Sequence, residues 1–220
     1  MTLTLLSEAI KAMEAMDSAV TDLLQLELIH YGSTQAIQTA PPHFGDNTSM
    51  SDTTPESLSL AVLTVSDTRT EANDTSGDFL ADSAIAAGHQ VVDRAIEIDD
   101  RFRLRARVSA WIADPDVHVV LLTGGTGFTS RDATPEAIKP LLEVVIDGFG
   151  ELFRQLSYQE IGTSTIQSRA LAGISNNTLV FCVPGSTGAC KTAWDGIIKT
   201  QLDSTYRPCN FAELVLRGHH

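Results

Sequence analysis

Residues 117–127 read Val-His-Val-Val-Leu-Leu-Thr-Gly-Gly-Thr-Gly, an apolar run that passes directly into a loop with three glycines. A short run without polar alternation is typical of a strand buried on both faces, as the strands of parallel sheets are. Glycines after such a strand permit positive φ angles and a close approach of the backbone to a ligand. The amides of Thr123–Gly127 can then converge on an anion such as phosphate. A plain tight turn would have the same glycine content.

The same pattern continues on both sides of this stretch. Apolar strands are predicted over Leu60–Val65, Gln90–Ile98 and Thr178–Val183, and a helix over 77–87. Three further helices are indicated by apolar residues at helical spacing, namely Leu104, Val108, Trp111 and Ile112; Phe149, Leu152, Phe153 and Leu156; and Ala193, Trp194, Ile197 and Ile198. Strands that alternate with helices predict an α/β fold, with a mostly parallel sheet covered on both faces.

The chain divides into three parts by composition. Residues 1–30 have apolar side chains at three- to four-residue multiples, which predicts one amphipathic helix. About half of residues 31–57 are Ser, Thr, Pro or Gly, which is typical of a flexible linker. Residues 58–220 form the globular domain. The helix would serve in docking or oligomerisation. Alternatively, it is a plain surface helix, or translation normally starts at Met50 and the first 49 residues are dispensable.

Charge and cysteine content exclude several classes of function. The net charge is -13, from 15 basic and 28 acidic residues. Nucleic-acid binding is therefore not expected, because it depends on clustered Lys and Arg. No apolar run approaches the roughly 18 residues of a membrane span, so no membrane partner is expected. Three cysteines without a Cys-x-x-Cys pair fit a reduced, cytoplasmic protein.

Three strand ends carry loops suited to anions. Ligands of open parallel sheets bind beyond the carboxyl ends of the strands. The first loop is Ser66-Asp67-Thr68, the second is Gly124-Gly125-Thr126-Gly127, and the third is Pro184-Gly185-Ser186. In the third loop, Gly185 allows a turn and Ser186 or Thr187 caps the helix that follows, which is a favoured position for phosphate.

Acidic residues follow two of the strands. Asp132 lies just after the glycine loop, before a helix for which Thr134 is the expected N-cap and Pro135 the first residue. A carboxylate in an anion site suggests a bridging Mg²⁺; alternatively, Asp132 pairs with Arg131 or caps the helix. Asp99 and Asp100 end the second strand. They are candidates for a metal ligand or an orienting group, or for the N-cap of the helix that follows, and their spacing favours the cap.

Two further segments offer polar groups. Asp74-Thr-Ser-Gly77 precedes a helix, so Asp74 is expected near its N-cap and Ser76 could contribute a hydroxyl to an anion. Ser168 and Arg169 follow a stretch rich in hydroxyl groups, and an Arg in that setting suits phosphate or carboxylate. A surface salt bridge is the plainer interpretation of Arg169.

The ordered set of motifs resembles the MoaB/Mog family of molybdenum-cofactor biosynthesis proteins over about residues 58–212. The resemblance rests on nine segments: Val65–Arg69, Asp74–Gly77, Thr123–Gly127, Arg131–Ala137, Gly148–Arg154, Ile161–Thr165, Ser168–Ala170, Pro184–Ser186 and Arg207–Phe211. The last three resemble the MoaB branch in particular. It implies a three-layer α/β/α sandwich with a pterin site at the strand ends, and assembly into trimers or hexamers.

Active members of that family transfer AMP from Mg-ATP to the terminal phosphate of molybdopterin. The resemblance assigns metal-assisted catalysis to Asp99 and Asp132, with Mg²⁺ as cofactor and ATP as co-substrate. Many members have Pro where this chain has Ile98, so Asp100 is an alternative to Asp99. Two other functions remain: a non-catalytic pterin-binding oligomer, and a scaffold that binds other proteins of the pathway.

Overall fold

Six strands of the computed structural model, which describes residues 54–217, form one sheet in the order β2-β1-β3-β6-β5-β4. Their bounds are β1 Ser59–Val65, β2 Gln90–Glu97, β3 Val119–Thr123, β4 Val144–Val145, β5 Leu171–Ser175 and β6 Thr178–Val183. The four strands β2, β1, β3 and β6 run parallel. Strand β5 is antiparallel to β6, and β4 is antiparallel to β5. The predicted mostly parallel sheet is confirmed.

Helices cover both faces of this sheet. They are α1 Thr75–Ala86, α2 Arg101–Ala113, α3 Thr134–Ile138, α4 Asp147–Ile161, α5 Thr187–Ala193, α6 Lys199–Gln201 and α7 Ala212–Arg217. Short 3₁₀ turns span Lys139–Leu141 and Gly162–Gln167, and a π-helical turn, Trp194–Ile198, joins α5 to α6.

The core lies in two clusters, one on each face of the sheet. Alternate residues of β1 go to opposite clusters: Leu60 and Val62 pack with α1, α4 and α5, whereas Ala61 and Leu63 pack with α2 and α3. This alternation follows from the two-residue period of a strand. The three-layer α/β/α sandwich is confirmed.

One predicted helix start is wrong. The N-cap of α3 is Ala133, which makes no capping hydrogen bond through its side chain, and Thr134 is the first helical residue. The Thr134 hydroxyl instead donates to the carbonyl oxygen of Gly124, at 3.0 Å, because the glycine loop folds back over this turn. Pro135 is therefore the second helical residue and not the first, although it still lies in the first turn.

The predicted helix at 1–30 lies outside the described residues, as does the linker at 31–57 apart from its last four residues. Among residues 54–217, no helix combines the length and the apolar character needed to cross a membrane.

Candidate functional site

A cavity of about 500 Å³ opens where β1, β3 and β6 end at their carboxyl edge. Twelve of the sixteen residues predicted for the site line it, namely Ser66, Asp74, Ser76, Gly124, Gly125, Thr126, Gly127, Asp132, Ser168, Pro184, Gly185 and Ser186. The other four, Asp67, Thr68, Asp99 and Arg169, are not among its lining residues. The three predicted loops therefore meet around one cavity, as the rule for parallel sheets requires.

The glycine loop has a backbone that only glycine permits at two positions. Gly124 has a φ of 109° and Gly125 a φ of 63°. A Cβ at Gly124 would lie 2.2 Å from the carbonyl oxygen of Val65, and one at Gly125 would lie 2.3 Å from Oγ1 of Thr134. The torsion angle of Gly124 and the close contacts at both positions exclude side chains, so this loop is more than a generic tight turn.

Arg169 holds the glycine loop in place. Its Nε donates to the Gly127 carbonyl oxygen at 2.7 Å, and its Nη2 donates to the Asp132 carbonyl oxygen at 2.8 Å. The remaining arm of the guanidinium pairs with Glu136. The guanidinium thus contacts loop carbonyls from outside the cavity; the predicted contact with a phosphate stays a prediction.

Asp132 is bound within its own loop. Its Oδ2 accepts from the amide and the hydroxyl of Thr129, at 2.7 and 2.6 Å. Burial alone would raise the pKa of this carboxyl, but the Thr129 bonds, the Gly127 amide and the Arg169 charge lower it. The alternative of a pair between Asp132 and Arg131 is wrong, because Arg131 pairs with Asp67 at 2.5 Å.

Asp99 and Asp100 have different structural roles. Asp100 is the N-cap of α2, where its Oδ1 accepts from the amides of Phe102 and Arg103 at 3.0 Å. Asp99 points instead to the glycine loop: its Oδ2 lies 2.6 Å from the position of a Cβ on Gly125. Its Oδ1 accepts from the Ala133 amide at 3.0 Å.

The carboxyl of Asp99 has a raised pKa. Burial is the main cause, and the negative charges of Asp132 and Asp67 add to it. The clustering of these acids at the glycine loop is the electrostatic setting in which a cation is stabilised.

The donor set fits Mg²⁺ only together with a phosphate-bearing ligand. Within residues 54–217 no three His, Cys, Asp or Glu side chains converge on a metal position. Asp99 and Asp132 flank the loop as oxygen donors, and Mg²⁺ typically binds one or two carboxylates, waters and substrate phosphates. The arrangement therefore suits only an ion that is shared with a phosphate-bearing ligand.

Asp74 and Ser76 mainly connect secondary-structure elements through hydrogen bonds. Asp74 is 1% exposed, caps α1 through the Gly77 amide, and accepts from Thr64 and Arg94. Ser76 donates to the carbonyl oxygen of Gly185 at 2.9 Å, which ties α1 to the third loop. The N-cap prediction for Asp74 is confirmed.

Sequence analysis missed one whole wall of the cavity, from α4 and the 3₁₀ turn after it. Its lining residues are Phe153, Ser157, Glu160, Ile161, Ser164, Thr165 and Gln167. Other lining residues that were not predicted are Thr64, Val65, Arg69, Gly188, Ala189 and Thr192. Phe153, Ser157 and Glu160 recur at spacings of four and three, so they share one helix face. That spacing was the available signal, but only the sheet position shows that the face borders a cavity.

Comparisons with known proteins agree with this architecture. The profile of a family described as a probable molybdopterin binding domain matches residues 61–204. Molybdenum cofactor biosynthesis protein B of Escherichia coli K12 is 60% identical over 152 residues, which are 69% of this chain and 89% of that protein. The protein of the same name from Staphylococcus aureus Mu50 is 45% identical over 149 residues, or 66% of this chain and 88% of that protein.

Solved structures give the same result. A crystal structure of a molybdenum cofactor biosynthesis protein B superimposes with a TM-score of 0.69 and 40% identity, and covers 76% of this chain and 99% of that chain. The tungsten cofactor synthesizing protein MoaB from Pyrococcus furiosus superimposes with a TM-score of 0.61 and 36% identity, covering 67% of this chain and 94% of that chain. The resemblance drawn from the motifs is confirmed, and the chain belongs to the MoaB/Mog family of molybdenum cofactor biosynthesis proteins.

Proposed function

We propose that this protein acts in molybdenum cofactor biosynthesis as a Mg²⁺-dependent enzyme that transfers AMP from ATP to the terminal phosphate of molybdopterin. The observation that carries the proposal is the pair Asp99 and Asp132, whose carboxylates both lie beside the glycine loop that lines the cavity. A protein that only stores a pterin has no need of two carboxylates beside an anion-binding loop.

In the proposed reaction, an oxygen of the molybdopterin phosphate attacks the α-phosphorus of ATP. A new P–O bond forms, the bond from the α-phosphorus to the bridging oxygen breaks, and pyrophosphate leaves with that oxygen and its electron pair. Such a transfer needs alignment and charge stabilisation rather than a covalent protein group. Mg²⁺, held by Asp99 and Asp132, would neutralise the negative charge of the phosphates.

The chain's own groups would align the two phosphates. Gly124–Gly127 line the cavity at the end of β3; the Gly124 amide donates to Val183 and the Gly127 amide to Asp132, which leaves the amides of Gly125 and Thr126 for a phosphate. Ser186 caps α5 at the end of β6. Arg69 also lines the cavity, where its guanidinium is bound to the carbonyl oxygen of Asn73 and to the Thr75 hydroxyl. A fixed cation next to oriented amides supports phosphate binding at this edge.

The proposal is tested by incubating the full chain with molybdopterin, ATP and Mg²⁺ and assaying adenylylated pterin and pyrophosphate. We expect both products in equal amounts, and neither product when EDTA removes the metal. Verified pterin binding without either product would contradict the enzyme and support the alternative, a non-catalytic pterin-binding oligomer or scaffold.

A further inference from the structure

The wall of the cavity formed by α4 contains a carboxylate that phosphate binding does not use. Three carboxylates line the cavity: Asp74, Asp132 and Glu160. Asp74 is bound by Thr64, Gly77 and Arg94, and Asp132 belongs to the glycine loop. Glu160 makes no ion pair with any residue in 54–217. A carboxylate without a cationic partner in an anion-binding cavity would repel the ligand unless it meets hydrogen-bond donors.

The Glu160 side chain is held by one contact. The Thr192 hydroxyl lies 2.9 Å from Oε2 of Glu160 and 3.0 Å from the carbonyl oxygen of Gly188. This contact leaves Oε1 without a hydrogen bond inside the described part of the chain. Thr192 itself lines the cavity, so the contact joins α4 to the helix that begins at Ser186.

Ser157, one turn before Glu160, is a second unused polar group. The residue is 5% exposed, and it lines the cavity. Its hydroxyl makes no hydrogen bond with another described residue. No fully buried side-chain oxygen or nitrogen in residues 54–217 lacks a hydrogen-bond partner, so the Ser157 oxygen remains open to the cavity, where a ligand can supply its bond. Ser157 and Glu160 therefore mark a polar subsite separate from the phosphate loops.

We propose that Glu160, assisted by Ser157, binds the 2-amino and N3–H edge of the pterin, an assignment that rests on the proposed function. That edge presents two adjacent N–H donors, which match the two oxygens of a carboxylate. The alternative occupant, adenine, presents one amino group flanked by acceptor nitrogens, and these would face carboxylate lone pairs. Glu160 is thus a specificity-determining residue for the pterin rather than for the nucleotide.

The test is the affinity for molybdopterin without ATP, measured on the full chain and on Glu160→Gln. Gln keeps the size of the side chain and can still accept from Thr192, but its NH₂ group faces the amino group of the pterin. Loss of a charge-assisted pair predicts binding about ten- to a hundredfold weaker. Glu151→Gln is the matched control, because Glu151 is exposed on the same helix and does not line the cavity. We expect it to bind normally.

A second measurement identifies the pterin edge itself. The wild type should bind molybdopterin more tightly than an analogue with oxygen in place of the 2-amino group, and Glu160→Gln should lose this preference. Ser157→Ala should weaken binding by a smaller factor. Unchanged affinity in Glu160→Gln, or a raised KM for ATP with normal pterin binding, would overturn the assignment. If pterin binding depends on Glu160 but no adenylyl transfer is detected, only the proposed reaction is contradicted.

Discussion

At the scale of single residues, Asp132 is the most direct test of metal-assisted transfer. Asp132→Asn removes a charge, but the side-chain oxygen can still accept from the Thr129 amide, so the loop keeps its shape. Metal-assisted charge stabilisation is worth several kcal/mol, and each ~1.36 kcal/mol is tenfold in rate. We expect turnover to fall about a hundredfold or more, with little change in pterin affinity.

The measurement for Asp132→Asn combines turnover, pterin binding and melting temperature on one preparation. Asp116→Asn is the control, because Asp116 lies exposed in a turn away from the cavity. Near-normal turnover at saturating Mg²⁺ would remove Asp132 from catalysis and leave it a role in the loop alone.

At the scale of secondary-structure elements, the two adjacent acids after β2 have different expected roles, catalysis for Asp99 and capping of α2 for Asp100. Asp100→Ala deletes the cap of α2 and should cost about 1 kcal/mol of unfolding free energy, or roughly 2–4 °C in Tm for a domain of this size. Its turnover should stay normal. Asp99→Asn should show the opposite result, with a large loss of turnover and a small change in Tm.

The acidic limb of the pH–rate profile tests Asp99 further. Because the pKa of Asp99 is raised, the carboxylate becomes protonated at a higher pH than an ordinary aspartate as the solution is acidified. At subsaturating Mg²⁺, turnover of the wild type should therefore begin to fall at a pH above the usual Asp range, because protons compete with the ion for this carboxylate. Equal turnover in Asp99→Asn and Asp100→Ala would contradict the assignment.

The elements also show which parts of the fold a sequence can predict. Long apolar runs such as β1 and β6 identify buried strands, because only a covered sheet accommodates them. Strand β4, Val144–Val145, has two residues, and β5 contains Gly173 between Ala172 and Ile174, so neither has a clear local pattern. These strands form because a neighbouring strand supplies hydrogen bonds, which is tertiary information.

The candidate site, like the fold, has parts that the sequence predicts and parts that it does not. The loops at strand ends could be predicted, because parallel topology places carboxyl ends together. The different roles of Asp99 and Asp100 could not be predicted, because both residues follow the same strand and they differ only in the direction of their side chains. Glu160 was missed because a helix face with Phe153 and Ser157 looks like any amphipathic surface until its neighbours are known.

At the scale of the whole molecule, His89 makes stability depend on pH. It is 6% exposed, and its Nδ1 accepts from the Leu58 amide at 3.3 Å. Burial lowers its pKa, only partly opposed by the charge of Asp203. The folded state thus keeps His89 neutral while the unfolded state binds a proton below the ordinary pKa of 6.5, so unfolding free energy falls as pH drops through that value.

Urea unfolding between about pH 7.5 and pH 5.5 measures this effect. The comparison is the slope of unfolding free energy against pH in the wild type and in His89→Gln, which cannot titrate. The variant should have a flatter slope, whatever its absolute stability. Identical slopes would show that His89 contributes nothing to the pH dependence.

Residues 1–49 lie outside the described part of the chain, and their removal tests what they contribute to assembly. Within residues 54–217 the buried core extends from Leu58 to Val215, so a chain that starts at Met50 keeps every core residue of that range. It also keeps the glycine loop, both acids and the lining of the cavity. We therefore expect this shortened chain to fold, to bind molybdopterin normally and to form the same oligomer, a trimer or hexamer, as the full chain. Light scattering on both chains gives the number of subunits, and dissociation of the shortened chain would identify the predicted helix at 1–30 as an oligomerisation element.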